Sequence, residues 1–469
     1  MTEHQELELH TLPLKYQDEP LYMQLYLHLR EGILAGDIKA GERLPSKRRL
    51  ADDLKISQNT VIRAYQHLVD EGYVKALERS GYYVEELSLL YRPVETTSLS
   101  PPAQGEKESS KILYDFAYGG VDPKALPLKE LQRAYRKVIG ESQLELSRMP
   151  HEQGHEKLRL ELSHYLFRAR GFKAEPEQII LGSGTDYLMN LLFEILPEDA
   201  LYAIEDPGFP RIAEALKQRK RRYKCLSLDQ SGVCLSDLEK SQATILAVTP
   251  SHQFPTALIY PVNRRTELLQ WAEESGRYLI EDDYDSEFKY ATRPIPPLKS
   301  MDQKDKVIYL GSFSKSFSPA MRVSYLVLPK SLIHAYQNKQ VLFPCPVPVL
   351  TQLVMAELIA SGEFSRHLNR MRLLYKKKRE VLVQELSKAK DYCAIEGADA
   401  GLHLVLRLKR ARADHFAEKA AQAGIICYPM SDYSIQAELG ERLILGYAQI
   451  DLAELEAASQ ALIKLLREI

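Results

Sequence analysis

Leu21, Leu25, Leu29 and Ile33 recur at every fourth position behind Pro20, the spacing of an amphipathic helix that opens at a proline. Gly36 and Gly41 interrupt it. A second helix is expected after Leu44-Pro45, with Ser46 as its N-cap and Leu50, Ala51 and Leu54 facing inward. Ser57 caps a third, which carries Val61, Ala64, Tyr65 and Leu68 on one face. The apolar runs at 73–77 and 81–84 bracket a short polar turn, as the strands of a small ribbon do. Three helices and a ribbon, with two helices joined by a tight turn, predict a winged helix-turn-helix.

Between 87 and 111 the periodicity disappears into Ser, Thr, Pro and charge, which reads as a linker between a domain at 1–86 and a larger one at 112–469. The larger domain alternates. Strands are predicted at 179–182, 201–204, 244–249, 278–281, 306–310 and 323–328, with helices such as 185–196 and 263–276 between them. Short apolar runs separated by helices imply a mostly parallel sheet covered on both faces. From about Phe364 a long helix rich in Arg and Lys, 365–387, leads to shorter segments including a strand at 403–408. That stretch is expected to form a smaller α+β subdomain.

Composition narrows the choice of partners. The 469 residues are 45% hydrophobic and 27% charged, which excludes a mainly disordered chain. The net charge of −2 provides no global field for nucleic acid or membrane. Locally, 39–63 holds seven basic residues against three acidic ones, so a positive patch falls on the two helices that would face DNA. No apolar run approaches the ~18 residues of a membrane span. The acidic start MTEHQELELH is unlike a signal peptide, and five cysteines without a CxxC suggest neither disulfides nor a zinc ribbon. A cytoplasmic protein is expected.

The chemistry concentrates at strand ends. Lys315 follows one predicted strand within Gly311-Ser312-Phe313-Ser314-Lys315-Ser316, with Arg322 further on. An amine there, flanked by hydroxyls and an arginine, suits an aldehyde cofactor bearing a phosphate. A solvated lysine in a Ser-rich loop is equally compatible with this segment alone. Ile280-Glu281-Asp282-Asp283-Tyr284-Asp285 puts four carboxylates after another strand, where one can keep a pyridine nitrogen protonated. Magnesium binding would call for a separate phosphate loop, and no GxxxxGK[ST] occurs. Gly182-Ser183-Gly184-Thr185 opens a helix and offers N–H donors to an anion, while Asp206-Pro207-Gly208-Phe209 offers an aromatic face.

These segments resemble known families. LPSKRRLADDLKISQNTVIRAYQHLVDEGYV followed by SGYYV is similar to the GntR-type winged helix, and the larger domain resembles fold-type I aminotransferase-like enzymes that use pyridoxal 5′-phosphate. Their fusion, with TPSHQFPT, EDDYDSEF and SFSKSFSPAMR, resembles the MocR subfamily of bacterial regulators. The resemblance implies Lys315 as the Schiff-base lysine, Asp282 as partner of the pyridine nitrogen and Tyr284 at the cofactor's 3′ oxygen. It also implies a phosphate cup of Ser183, Gly184, Thr185, Ser312 and Arg322, to which Ser314 adds a donor, with Phe209 stacked on the ring. Arg211 is the residue it suggests for an effector's acidic group. In the winged helix it points Arg48 at phosphate and Ser57, Gln58, Asn59, Thr60 and Arg63 at the major groove of a double-stranded operator. The implied protein is a homodimer that senses an amine, an amino acid or the cofactor itself; the alternative is a working aminotransferase with an accessory DNA-binding domain.

The chain departs from the aminotransferase pattern at several points. Asn-Pro-Thr-Gly becomes Phe254-Pro255-Thr256-Ala257, which leaves His252 or Gln253 to replace the asparagine's contact. Met149 stands where a tyrosine five before Gly154 lends a phosphate contact across the dimer. Ile444 occupies the place of the arginine that grips a substrate α-carboxylate, with Arg442 two residues away on the same strand face as a replacement. His151-Glu152-Gln153-Gly154-His155 matches HExxH, but Gly154 lies inside it and costs ~1 kcal/mol in a helix, so no metal is expected.

Overall fold

The computed structural model describes residues 20–78, 80–86, 112–274, 276–290, 295–338, 344–436 and 439–468. The expected linker at 87–111 lies outside the described residues. The chain divides into two compact units, Met1–Lys107 and Glu108–Ile469. Among the described residues no helix is long and apolar enough to cross a membrane.

The first unit contains α1 (Leu21–Ala35), α2 (Lys47–Leu54), α3 (Gln58–Asp70), β1 (Val74–Leu77) and β2 (Gly81–Val84). Leu25, Leu29 and Ile33 of α1 share one core with Leu50 and Ala51 of α2 and with Val61, Ala64, Tyr65 and Leu68 of α3. The caps follow the sequence. Ser46 accepts from the N–H of Arg49 at 3.2 Å and Ser57 from that of Thr60 at 3.1 Å. Each satisfies an orphan donor worth about 1 kcal/mol. The phenol of Tyr65 donates to the Pro45 carbonyl at 2.9 Å and ties α3 to the start of α2. β1 and β2 pair antiparallel as the wing.

The second unit opens with β3 (Tyr114–Asp115) and then builds an eight-stranded sheet. Its strands are β4 (Ile179–Gly182), β5 (Leu201–Asp206), β6 (Arg222–Asp229), β7 (Gly232–Val233), β8 (Ile245–Val248), β9 (Tyr278–Asp283), β10 (Val307–Ser312) and β11 (Ser324–Val327). Their order is β4-β11-β10-β9-β8-β5-β6-β7. The five from β10 to β6 are parallel, β11 is antiparallel to both of its neighbours, and β7 is antiparallel to β6. Ile280 and Ile308 face one layer with Leu188 and Leu192, while Leu279 and Val307 face another with Leu268 and Trp271. Burial on both faces explains the unbroken apolar runs.

The C-terminal strands are β12 (Cys393–Glu396), β13 (His403–Leu408), β14 (Ile425–Ile426), β15 (Tyr428–Pro429) and β16 (Arg442–Gly446). A four-stranded antiparallel sheet runs β12-β13-β16-β15, and β14 pairs with β3. The helices Glu363–Ser387 and Leu455–Arg467 pack against it through Met371, Tyr375, Leu382 and Leu462. The chain thus forms a winged helix followed by an α/β unit with a smaller α+β subdomain. In the large sheet every parallel strand ends at the same edge. The antiparallel β11 starts there, with Ser324 opposite Ser312.

Candidate functional site

β10 delivers Lys315 to that edge. Phe313 and Phe317, both 1% exposed, anchor the turn on either side of it. The Lys315 ammonium donates to the carbonyls of Tyr118 at 2.7 Å and Gly119 at 3.0 Å, and lies 3.7 Å from the centre of the Tyr118 ring. Burial lowers its pKa to about 8, against the opposing pull of Asp285. A lysine at that value keeps a usable fraction of free amine at neutral pH and is a nucleophile.

Strand alternation sorts the four acids. Glu281 and Asp283 point to one face of β9 and are structural. Glu281 accepts from the backbone N–H groups of Leu298 and Lys299, at 2.8 and 2.9 Å. Asp283 takes a 2.9 Å ion pair from Arg170 and hydrogen bonds from Ser286 and Tyr309. Asp282 points to the other face and lines a small cavity with Ile204, Glu205, Phe209 and Thr249. Burial, reinforced by Asp283, Asp285 and Glu205, pushes its carboxyl up to about 7. A carboxylate under that stress gains from a cationic N–H brought to it.

An anion corner lies at the ends of β4 and β10. Gly184 is the N-cap of the helix Thr185–Ile195, with φ +118°. A Cβ there would lie 2.9 Å from Cζ of Arg322 and closer still to Nη2, so the bare backbone admits the guanidinium. Ser183 and Thr185 flank this glycine, half-buried. Ser312 accepts from the Ser314 N–H at 3.1 Å and from the Ser324 hydroxyl at 3.0 Å. Helix N–H groups, hydroxyls and an arginine together can bind a phosphate.

Aromatic groups cluster beside Lys315. Tyr118 packs on Phe254 at 4.9 Å and edge-on against His403 at 5.0 Å and Tyr284 at 5.9 Å; Phe209 meets Phe254 at 5.8 Å. The phenol of Tyr284 donates to the His252 carbonyl at 2.6 Å. Of the two replacements expected for the missing asparagine, Gln253 is consumed. Its amide donates to Glu205, to the Pro207 carbonyl and to its neighbour's carbonyl, and its oxygen accepts from Thr256. His252 keeps Nε2 without a protein partner. Sequence reasoning missed Tyr118, Asp285 and His403 as parts of this site, and also Glu205, a buried acid that takes hydrogen bonds from Thr249, Gln253 and Tyr260.

In the first unit, Arg48, Ser57, Gln58, Asn59 and Arg63 are exposed and Thr60 is half-buried. Ser57 and Thr60 spend part of their capacity on each other, with hydroxyl oxygens 2.9 Å apart, at the start of α3. Gln58 and Asn59 form the first turn, and Arg63 lies 5.9 Å from the Tyr22 ring.

Residues 21–84 match the family model of bacterial regulatory proteins of the gntR family, and 120–462 match aminotransferase class I and II. An uncharacterized HTH-type transcriptional regulator of Bacillus subtilis, YdeL, is 37% identical over 88% of this chain and 90% of its own. The probable rhizopine catabolism regulatory protein MocR of Rhizobium meliloti is 31% identical over 92% and 91%. The chain belongs to the MocR-like GntR regulators. Another relative of this MocR-like chain is the pyridoxine biosynthesis regulator PdxR of Corynebacterium glutamicum, 30% identical over 91% and 92%. Among solved structures, the multiple substrate aminotransferase of Thermococcus profundus superposes with a TM-score of 0.70 at 21% identity. That match covers 77% of this chain and 92% of the enzyme, and it establishes the fold.

The remaining expected positions of this MocR-like chain have other partners or stand exposed. Ile444 packs with Phe254, Ala257, Val405 and Met430. Arg442 pairs with Glu396 at 3.0 Å, and Arg407 holds the same carboxylate at 2.7 Å. Arg211 is exposed and pairs with Asp186 at 2.8 Å. Met149 is 79% exposed. Residues 151–155 form a turn, and Gly154 has φ +91°; the helix begins at Glu156. The two histidines of HExxH therefore do not share a helical face.

Proposed function

We propose that this regulator holds pyridoxal 5′-phosphate on Lys315 and reports the presence of an amine, an amino acid or the cofactor itself to a double-stranded operator, as a cytoplasmic homodimer. The observation that carries the reading is the convergence at one sheet edge of half-buried Lys315 after β10, half-buried Asp282 near the end of β9 and the Gly184–Arg322 corner, where desolvation lowers the amine to about 8 and raises the acid to about 7. The residues fit the cofactor: Asp282 and Phe209 line one cavity, and Gly184 leaves its Cβ space to Arg322. When bound, the cofactor supplies an aldehyde that condenses reversibly with amines and a ring that withdraws electrons. Asp282 keeps the ring nitrogen protonated, Phe209 faces the ring and Tyr284 takes the 3′ oxygen. Ser183, Gly184, Thr185, Ser312, Ser314 and Arg322 hold the phosphate. Arg211 and Arg442 are the cations for an effector's acidic group, which would displace Asp186 or Glu396. In the first unit Arg48 meets phosphate, while Ser57, Gln58, Asn59, Thr60 and Arg63 enter the major groove.

The apolar seat of Ile444 favours sensing over turnover, because a transaminase must fix an α-carboxylate and release product through a second half-reaction. A sensor gains from stalling: a tenfold shift in operator affinity needs only ~1.4 kcal/mol of differential ligand binding, and turnover would consume the ligand. The test titrates the cofactor-loaded protein with a panel of amines and amino acids. The cofactor spectrum, operator binding and keto-acid release are followed together. A lasting spectral change that alters operator binding, with little keto acid, is expected. Rapid multiple turnover with an α-keto acid and unchanged DNA binding would leave the aminotransferase reading instead.

A further inference from the structure

Three side chains from separate segments meet beside Lys315. His252 lies in the loop after β8, Asp285 two residues past β9, and His403 opens β13; none is more than 1% exposed. One ligating atom from each lies within 4.8 Å of the other two. His252 Nδ1 and Asp285 Oδ2 are 2.9 Å apart, and the two imidazole rings are 4.7 Å apart. Gly401, at φ +73°, passes the pair with bare backbone: a Cβ there would lie 2.7 Å from Asp285 Oδ2 and nearer still to the His252 ring. His252 Nε2, His403 Nδ1 and Asp285 Oδ1 are buried without protein hydrogen-bond partners.

The partners assign the protons. A carboxylate only accepts, so His252 carries hydrogen on Nδ1 and keeps Nε2 as a bare acceptor. A carbonyl only accepts, so His403 donates Nε2–H to Pro255 at 3.1 Å and keeps Nδ1 bare. The two bases differ in what would stabilise a positive ring. His252 has a carboxylate at 2.9 Å. His403 has a backbone carbonyl, and burial, with His252 and Lys315 nearby, holds it neutral. The other group facing His252 is Tyr284, whose oxygen is 3.2 Å from Nδ1; Lys315 feels the Asp285 charge, and Tyr118 lies between Lys315 and His403. A transition metal would draw on the same three side chains. On Nδ1 it would break the bond to Asp285, and on Nε2 it would sit across the ring from that carboxylate.

We propose that His252, oriented by Asp285, is the proton acceptor for amine ligands entering the Lys315 site, an inference that rests on the cofactor reading above. An amine arrives as an ammonium ion and has no lone pair with which to attack an electrophilic carbon until it loses a proton. One ammonium N–H bond breaks and an Nε2–H bond forms. The electron pair of the broken bond stays on the amine as its lone pair, and the positive charge passes to the imidazole beside Asp285. Asp285 is a positioning residue, with the role a buried aspartate has behind a catalytic histidine.

The test uses the full-length, cofactor-loaded protein and two probes. Ethylamine is about as basic as a lysine side chain and must be deprotonated. Hydroxylamine is largely unprotonated at neutral pH. Borohydride fixation of the cofactor on Lys315 is measured first, in wild type and in His252→Gln; failure in wild type would sink the cofactor reading and not the dyad. With fixation intact, His252→Gln should slow the ethylamine-induced spectral change by about 100-fold and flatten its pH profile. Hydroxylamine should remain within about twofold of wild type. Asp285→Asn should move the ethylamine rate in the same direction, and added imidazole should restore part of it in His252→Gln. Equal slowing of both probes, an unchanged ethylamine rate, or stoichiometric zinc lost on His403→Gln would overturn the proposal.

Discussion

The guanidinium of Arg322 lies against the bare backbone of Gly184, where a Cβ would come within 2.9 Å of Cζ. Arg322 itself stands at φ +50°, so both sides of the contact are held in left-handed backbone. Gly184→Ala must therefore push the arginine away from the helix N-terminus and also bear a strained φ of +118°. Removing one charge-assisted phosphate contact costs on the order of 1.5–3 kcal/mol, or about 10- to 100-fold in affinity. Gly184→Ala should therefore lose pyridoxal phosphate on dialysis while its melting transition shifts by only a few degrees. Retention equal to wild type would remove this corner from the phosphate site.

Asp282 makes the apoprotein sensitive to pH. Its carboxyl is raised to about 7 in the fold against about 3.9 in an unfolded chain, so between those values the folded form binds the extra proton. The stability linked to this group is then highest at low pH, falls from about pH 4 to about pH 7, and stays low above that. Asp282→Asn should stabilise the apoprotein at pH 8 by on the order of 4 kcal/mol and change it little at pH 4. Thermal melts at the two pH values check this. The cofactor should cancel the difference, because its ring N–H gives the wild-type carboxylate a partner.

Most of the scaffold was legible because its signals are local. Pro20, Ser46 and Ser57 mark helix starts that the structure keeps, and apolar runs mark β4, β5 and β8 to β11. β6 escaped notice because charges at Arg222 and Lys224 alternate with half-buried Tyr223 and Cys225, the pattern of a partly solvated strand and not of a buried one. Lys315, Asp282 and Gly184 could be read because each sits within a short chemical segment. Tyr118 and His403 could not: they come from positions nearly 300 residues apart and meet only through tertiary packing, and Asp285, though it lies in the same segment as Asp282, finds its histidine only there. Periodicity carries no trace of such a meeting.

In the first unit two exposed residues on different helices allow the two proposed kinds of DNA contact to be tested separately. Arg48 stands on α2, and Gln58 in the first turn of α3. If Arg48 meets phosphate, Arg48→Ala weakens specific and random duplexes alike and lowers the salt slope by about 1. If Gln58 reads a base edge, Gln58→Ala instead relaxes preference at one base pair, at a cost of ~1–3 kcal/mol for a bidentate contact. Titrations against operator variants at two salt concentrations distinguish these outcomes. Equal losses on operator and random DNA would remove Gln58 from the readout.

Lys315 should be the most reactive lysine of the apoprotein near neutral pH. The Tyr118 and Gly119 carbonyls and the Tyr118 ring all favour its charged form, yet desolvation outweighs them and brings its pKa to about 8. At pH 7.5 about a quarter of it is then free amine, against about one part in a thousand for an ordinary lysine. Reductive methylation of the apoprotein, read residue by residue by mass spectrometry, should modify Lys315 first, with a midpoint near pH 8. Asp285 is the charge that holds this value up, so Asp285→Asn should move the midpoint lower and make the lysine more reactive at pH 7. A change in the opposite direction would mean that loss of Asp285 lets water reach the amine. A midpoint near 10 in wild type would mean that Lys315 is solvated in the free protein, and the desolvated nucleophile would have to be abandoned.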